Sequence, residues 1–323
     1  MIFEGEYSNN KLWNGLSKEY NSNNKLIFEG EFLKGEIRNG KGFDDNGNII
    51  YQIINGTGSF QEYDYSGKLI YKGEYLNGKR NGKGKEYLDG KLIFEGEFLN
   101  GKRWNGKGKE YKYLHDKLIY EGEYLNGERN GKGKEYYDNG KIEYNGEYLN
   151  GKKWNGNGYN IDGKIIYKLV NGKGKVKIYN KHDGILNFEG QFLNGEKWKG
   201  KEYYEDGKLN FEGEYLNGKK WKGKEYYEEY DNRLKFEGEY LNGEKWKGKE
   251  YEGYDNRLKF EGEYLNGERN GKGKEYDYTG NLIFEGIYLN GFRCNGNFRE
   301  YDKKGNMKFQ GEYINGHKLF GID

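Results

Sequence analysis

The chain reads as all-β: an elongated, single-layer antiparallel meander of about 14 stacked β-hairpins, twisted into a rod. Three observations predict this. A short segment, aromatic-Glu-Gly-Glu-aromatic, recurs along the whole sequence. Around its copies, apolar and charged residues alternate with the period of two that marks a half-buried strand. The composition, with 55 Gly, 34 Tyr, 17 Phe and no Pro in 323 residues, supplies too little aliphatic material for a thick core and too many rings for a disordered chain.

The segment starts at Phe3, Phe28, Phe94, Tyr120, Phe211, Phe236 and Phe260, with close variants at Tyr71, Tyr144, Phe188, Phe284 and Phe309. Degenerate copies start at Tyr51 and Tyr167. No linker separates the copies, so residues 1–317 are expected to form one array, followed by a C-terminal tail or cap at 318–323. Within one unit, Leu92, Phe94, Gly96 and Phe98 share a face, and Ile93, Glu95 and Glu97 take the other. Asn100-Gly101 breaks the strand because both residues tolerate positive φ. A second strand is expected from Gly106 to Tyr111, ended in other units by Asp89-Gly90, Asn139-Gly140 or Asp206-Gly207.

An isolated hairpin is marginal in water, so neighbouring units must supply the burial. Glycines such as Gly82 and Gly84 are expected to leave bare backbone for rings of adjacent strands. Burying a ring is worth about 1.5–3 kcal/mol and a cross-strand Lys–Glu pair about 0.2–1 kcal/mol, so the rings dominate. Two strands per unit at ~4.8 Å give a rod on the order of 130 Å long. Two shortened units, near 39–58 and 155–174, match each other position for position and both lose the Glu-Gly-Glu centre. One reading is a block duplication; the other is that each marks a bend or partner contact, about 48 Å apart.

The segment Tyr71-Lys72-Gly73-Glu74-Tyr75-Leu76-Asn77-Gly78-Lys79-Arg80-Asn81-Gly82-Lys83-Gly84 resembles the MORN repeat. That resemblance implies a twisted single-layer sheet of hairpins used as a scaffold, with frequent self-association and, for some members, membrane or phosphoinositide binding. Other units depart from it. Counting back from the following Tyr puts Trp198, Trp221 and Trp246 at the first Gly of Gly-x-Gly, a pattern similar to a shorter MORN-like repeat of bacterial proteins that include a family of antitoxins. Trp104 and Trp154 read differently, as insertions that leave Asn-Gly-x-Gly intact.

Catalytic patterns are weak. His115, His182 and His317 lie in different repeats near expected turns, without an orienting partner. Cys294 stands where other units carry Trp or Asn, and the Glu95/Glu97 pair recurs too often to be one dyad. Gly-Lys-Gly-Lys lacks the Ser/Thr and the helix of a phosphate loop, and Asp44-Asp45-Asn46-Gly47-Asn48 lacks EF-hand spacing. We expect no enzyme, cofactor or metal.

Lys and Arg number 55 against 53 Asp and Glu, interleaved, so no nucleic-acid partner is expected. A start without signal-peptide character and the lack of an apolar run of ~18 residues point to a cytoplasmic protein, with peripheral membrane association as the variant. The expected function is a scaffold for protein–protein interaction or assembly, with rings at Tyr51, Phe94, Phe98, Tyr120, Tyr124, Tyr167, Trp198, Trp221 and Trp246 as candidate binding residues. Open sheet ends make a homodimer reasonable. One alternative is a membrane tether using Lys79, Arg80, Lys102, Arg103, Lys152, Lys153, Lys219 and Lys220 at turn tips against anionic lipid headgroups. The other is an antitoxin-like inhibitor of a protein toxin.

Overall fold

The computed structural model describes residues 2–9, 11–21, 23–44, 46–64, 66–112, 117–230 and 232–320. Among them are 28 strands and no helix, and within each sheet every strand pairs antiparallel with its sequence neighbours. Fifteen strands from Ile2–Ser8 to Ile165–Leu169 form one open sheet, and thirteen from Gly174–Tyr179 to His317–Phe320 form a second. Packing divides the chain into two units, residues 1–153 and 154–323. His317–Phe320, at the start of the expected tail, pairs with the strand Met307–Ile314.

Asn-Gly sets the hairpins. Asn77 and Gly78 have φ of 52° and 75°, and the flanking Leu76 and Lys79 pair directly. Two successive positive φ values define a type I′ turn, whose twist matches that of the strands it joins. Lys34 occupies the Asn position of its turn at φ 53°. A Lys side chain gains nothing from that left-handed conformation, whereas Asn tolerates it. Lys34→Asn is therefore expected to stabilise the protein by about 0.5–1 kcal/mol, read as a higher urea midpoint at constant slope.

So tight a turn lets the second strand begin at once. It runs Lys102–Lys112 rather than from Gly106, and Lys79, Lys152 and Lys219 likewise open strands. The cations assigned to turn tips are strand residues.

Rings nest on glycine, as expected, in both units. Phe211 is fully buried over its own Gly213 and over Gly223, which faces Gly213 across the hairpin. Tyr71 covers Gly84 in the same way, but Gly82 hosts no ring. Gly82 has φ of 85° in a bulge, and the Glu74 carboxylate fills its open side, accepting a hydrogen bond from the Lys83 amide at 2.8 Å. Successive rings then meet edge to face. In residues 1–153 the series runs Tyr71–Phe98 at 5.0 Å, Phe98–Phe94 at 5.1 Å and Phe94–Tyr124 at 5.8 Å. In residues 154–323 it runs Phe188–Tyr215 at 5.8 Å, Tyr215–Phe211 at 5.6 Å and Phe211–Tyr240 at 5.7 Å. Each such pair adds roughly 0.5–1.5 kcal/mol to the area term.

The shortened units break the ladder. Only Ile53↔Gly58 and Ile54↔Thr57 pair in the first, and the second keeps the single bridge Val170↔Lys173. The apolar residue at the lost glycine is the cause: Ile53 and Leu169 are buried, and the rings of Tyr51 and Tyr167 turn back over Gly42 and Gly158 of the preceding strands. In the first unit Phe60 then packs on Phe28 and Tyr51 at 5.3 Å and on Tyr75 at 5.4 Å. Hairpin geometry thus changes at both shortened units.

Candidate interaction surfaces

The two faces of the hairpin sheets carry different chemistry, and the aromatic face is less apolar than the alternation suggests. Over many of the buried rings a cation closes the remaining side. Arg129 stacks 4.0 Å from the Tyr120 centroid, and Arg80 4.3 Å from that of Tyr71. Lys220 lies 4.4 Å over Phe211 and Arg269 4.2 Å over Phe260. Carboxylates bridge these cations along the sheet. Arg129 donates to Glu110 at 2.6 Å and to Glu135 at 2.7 Å, while Lys153 reaches Glu135 at 2.9 Å. Glu275 receives Arg269 at 3.5 Å and Arg293 at 2.7 Å. The tight turn makes this possible, because its register sets the cation opposite the second aromatic: Tyr124 pairs with Arg129, and Tyr215 with Lys220.

Burial alone would raise the carboxyls of this ladder. Hydrogen bonds outweigh it: Arg129 and Tyr124 hold Glu110 below the usual range, Lys197 does so for Glu202, and Arg293 and Tyr288 for Glu275. A depressed folded-state pKa stabilises above the unfolded value, about 4.3 for Glu, and the contribution is lost as pH falls through the folded value. Thermal stability is therefore expected to hold from neutral pH to about pH 5 and to fall steadily below about pH 4, followed by circular dichroism. On the alkaline side, burial and a hydrogen bond to Glu189 push Tyr203 up to about 12, and the same causes with Glu261 push Tyr276 up to about 12. That contribution is present below about pH 10 and fades as pH approaches the folded value.

The opposite face carries cross-strand ion pairs such as Lys85–Glu95 at 2.9 Å and Lys199–Glu214 at 2.7 Å, all substantially exposed. Between rows of these side chains the glycine pairs leave shallow troughs. One in residues 154–323, about 500 Å³, has Lys247, Lys249, Glu261, Lys272, Lys274 and Glu285 around a floor of Gly248, Gly262 and Gly273.

Tyr51, Phe94, Phe98, Tyr120 and Tyr167 are buried. Tyr124 is half-buried and donates to Glu110 at 2.6 Å. These six rings build the core. Trp198, Trp221 and Trp246 differ, being 40%, 47% and 48% exposed. Each occupies a bulge: Trp221 falls between Lys220, opposite Tyr215, and Lys222, opposite Glu214. Trp104 falls in the same bulge, between Arg103 opposite Phe98 and Asn105 opposite Glu97. The two kinds of Trp unit therefore align from the turn forward, not backward from the Tyr, and differ downstream of the glycine pair. Cys294 is half-buried at this same bulge, between Arg293 and Asn295.

His182 lies in a turn where its amide donates to Asn180, and His317 opens the last strand. His115 and Asp45 lie outside the described residues. Among the described residues, no group of three His, Cys, Asp or Glu side chains could hold a metal ion, and no helix is long and apolar enough to cross a membrane.

No curated protein matches the chain. Among solved structures it is similar to the crystal structure of TcdB2-TccC3-Cdc42, at 10% identity and a TM-score of 0.19, over 92% of this chain and 18% of that one. A Photorhabdus luminescens Tc holotoxin pore aligns at 12% identity and a TM-score of 0.20, over 95% of this chain and 18% of that one. The chain thus spans about a fifth of the length of these structures. The MORN repeat model matches residues 71–90, 94–112, 120–142 and 260–282. Each match begins on a buried ring, at Tyr71, Phe94, Tyr120 or Phe260, and with its hairpins in register with them the chain is a MORN-repeat protein.

Proposed function

We propose that the chain is a non-enzymatic scaffold whose charged face holds a protein partner. MORN repeats act in interactions with proteins or membranes. One observation carries the reading: the rings, cations and carboxylates of the core face are committed to one another, whereas the opposite face repeats Lys and Glu rows over glycine floors. Alternating charge of this kind favours register and specificity more than raw affinity.

The test is capture from native cells with the full chain, without cross-linking. The partner is expected to be released near 1 M salt, where charges are screened beyond about 3 Å, and to be missed by Lys247→Glu/Lys249→Glu/Lys272→Glu/Lys274→Glu. A partner indifferent to both changes would overturn the assignment.

The membrane-tether reading draws less support. Of its eight cations, Arg80 and Arg103 share Glu86, Lys153 is held by Glu135 and Lys220 by Glu202, while Lys79 lies 3.1 Å from Glu36. Co-sedimentation with anionic but not neutral vesicles would favour it over a protein partner. Binding of a toxin encoded by an adjacent gene would identify the partner as an inhibited enzyme. Light scattering at micromolar concentration decides whether the scaffold works as a homodimer.

A further inference from the structure

We propose that Trp198, Trp221 and Trp246 form a platform for a neutral, extended β-1,4-linked glycan. In other units the Trp of the bulge lies against the turn of the next hairpin: Trp13 against Gly35, Trp104 against Gly127 and Trp154 against Gly172. The residue after it is Asn, which ties that turn down. Asn14, Asn105 and Asn155 accept the amides of Lys34, Asn126 and Asn171 at 2.8, 2.9 and 2.7 Å. After Trp198, Trp221 and Trp246 the residue is Lys199, Lys222 or Lys247. The following turns lack that tie among the described residues, and no indole lies within 4 Å of the position a side chain would take at Gly218, Gly243 or Gly267. Three indoles in successive hairpins are 40–48% exposed, against 37% for Trp13. A row of exposed rings at a regular spacing offers a stacking surface.

Spacing and charge choose the occupant. The indoles stand on every second strand, about 9.6 Å apart, a distance that an extended β-1,4-linked chain covers with one disaccharide. A pyranose can then lay its apolar C–H face on Trp221 and Trp246 in turn, and on Trp198 once the Lys199 ammonium, 4.9 Å from that ring's centroid, is displaced. The charges beside the row cancel: Lys199 pairs with Glu214 at 2.7 Å, Lys222 lies between Glu214 and Glu239, and Lys247 between Glu239 and Glu263. A polyanion would meet as much repulsion as attraction there. A neutral polymer meets evenly spaced donors and acceptors for its hydroxyls. The site adjoins the glycine trough of the scaffold reading and shares Lys247 with it, but its test turns on the indoles and does not depend on that reading.

The experiment is intrinsic fluorescence titration and affinity electrophoresis of the full chain with cello- and chito-oligosaccharides of two, four and six sugars. Affinity is expected to rise with each disaccharide as one, two and then three indoles are spanned. Trp221→Ala should weaken hexasaccharide binding about tenfold, Trp221→Tyr should retain most of it, and Trp198→Ala/Trp221→Ala/Trp246→Ala should abolish it, with unchanged circular dichroism. Failure to bind either hexasaccharide at millimolar concentration, or undiminished binding by the triple variant, overturns the proposal. So does a dimer whose indoles are shielded from a soluble quencher, because a second copy would then be the occupant.

Discussion

Gly213→Val is expected to destabilise residues 154–323 by about 3 kcal/mol or more and to lower the melting temperature by several degrees. A β-carbon at Gly213 would stand 2.2 Å from the Lys222 carbonyl oxygen, 2.7 Å from the Gly223 α-carbon and 2.7 Å from the Phe211 ring. Two of these neighbours are backbone of the paired strand, so no rotamer change relieves the clash. Either the strands part, losing ladder bonds, or Phe211 leaves its buried position and its edge-to-face contacts with Tyr215 and Tyr240. Because the same geometry recurs at Gly238 and Gly262, each such substitution should act alike. Lys222→Ala, on the opposite face of the same hairpin, should change stability by no more than about 0.5 kcal/mol. Thermal and urea unfolding of the two variants side by side measure the difference.

Arg129→Ala is expected to cost about 3 kcal/mol, against about 1 kcal/mol for Arg129→Lys. The guanidinium stacks on Tyr120 and bridges Glu110 and Glu135, both largely withdrawn from water. Truncation takes from Glu110 its paired donor and leaves Glu135 with Lys153, which costs more than an exposed surface pair is worth. Lysine keeps the charge but loses the paired hydrogen bonds to Glu110 and the flat stack. The protein already makes that exchange, since Lys220 and Lys245 cover Phe211 and Phe236 in the Trp-bearing hairpins. A double-mutant cycle with Glu110→Gln should return a coupling of at least about 1 kcal/mol, and its absence would show the ladder to be decorative.

Much of this architecture was legible beforehand because it is written locally. The period of two placed Phe94, Gly96 and Phe98 on one face, and burial of both rings agrees. Asn100-Gly101 marked a turn, since few residue pairs accept two positive φ values in succession. Gly84 lies under a ring. Gly82, from the same motif, serves a bulge and a carboxylate instead, because the second strand carries two extra residues opposite Glu74. Arg80, Arg103 and Arg129 reach the aromatic face ahead of that bulge, because each pairs across its turn with Tyr75, Phe98 or Tyr124. The candidate rings divided for the same reason. Burial depends on which neighbour covers a ring, and Trp104 and Trp221 share a bulge but not a cover. The signal was present in the residue that follows: Asn105 anchors the next turn, and Lys222 does not.

By itself, then, the sequence determined the repeat, the hairpins, the turn type and the aromatic-on-glycine core, all of which are set by residues close together along the chain. Tertiary structure alone decided where the cations point, which indoles remain open, and that Ile53 and Leu169 interrupt the strand ladder. Those outcomes depend on register between strands of successive hairpins, and register is fixed only when the side chains of both are packed together.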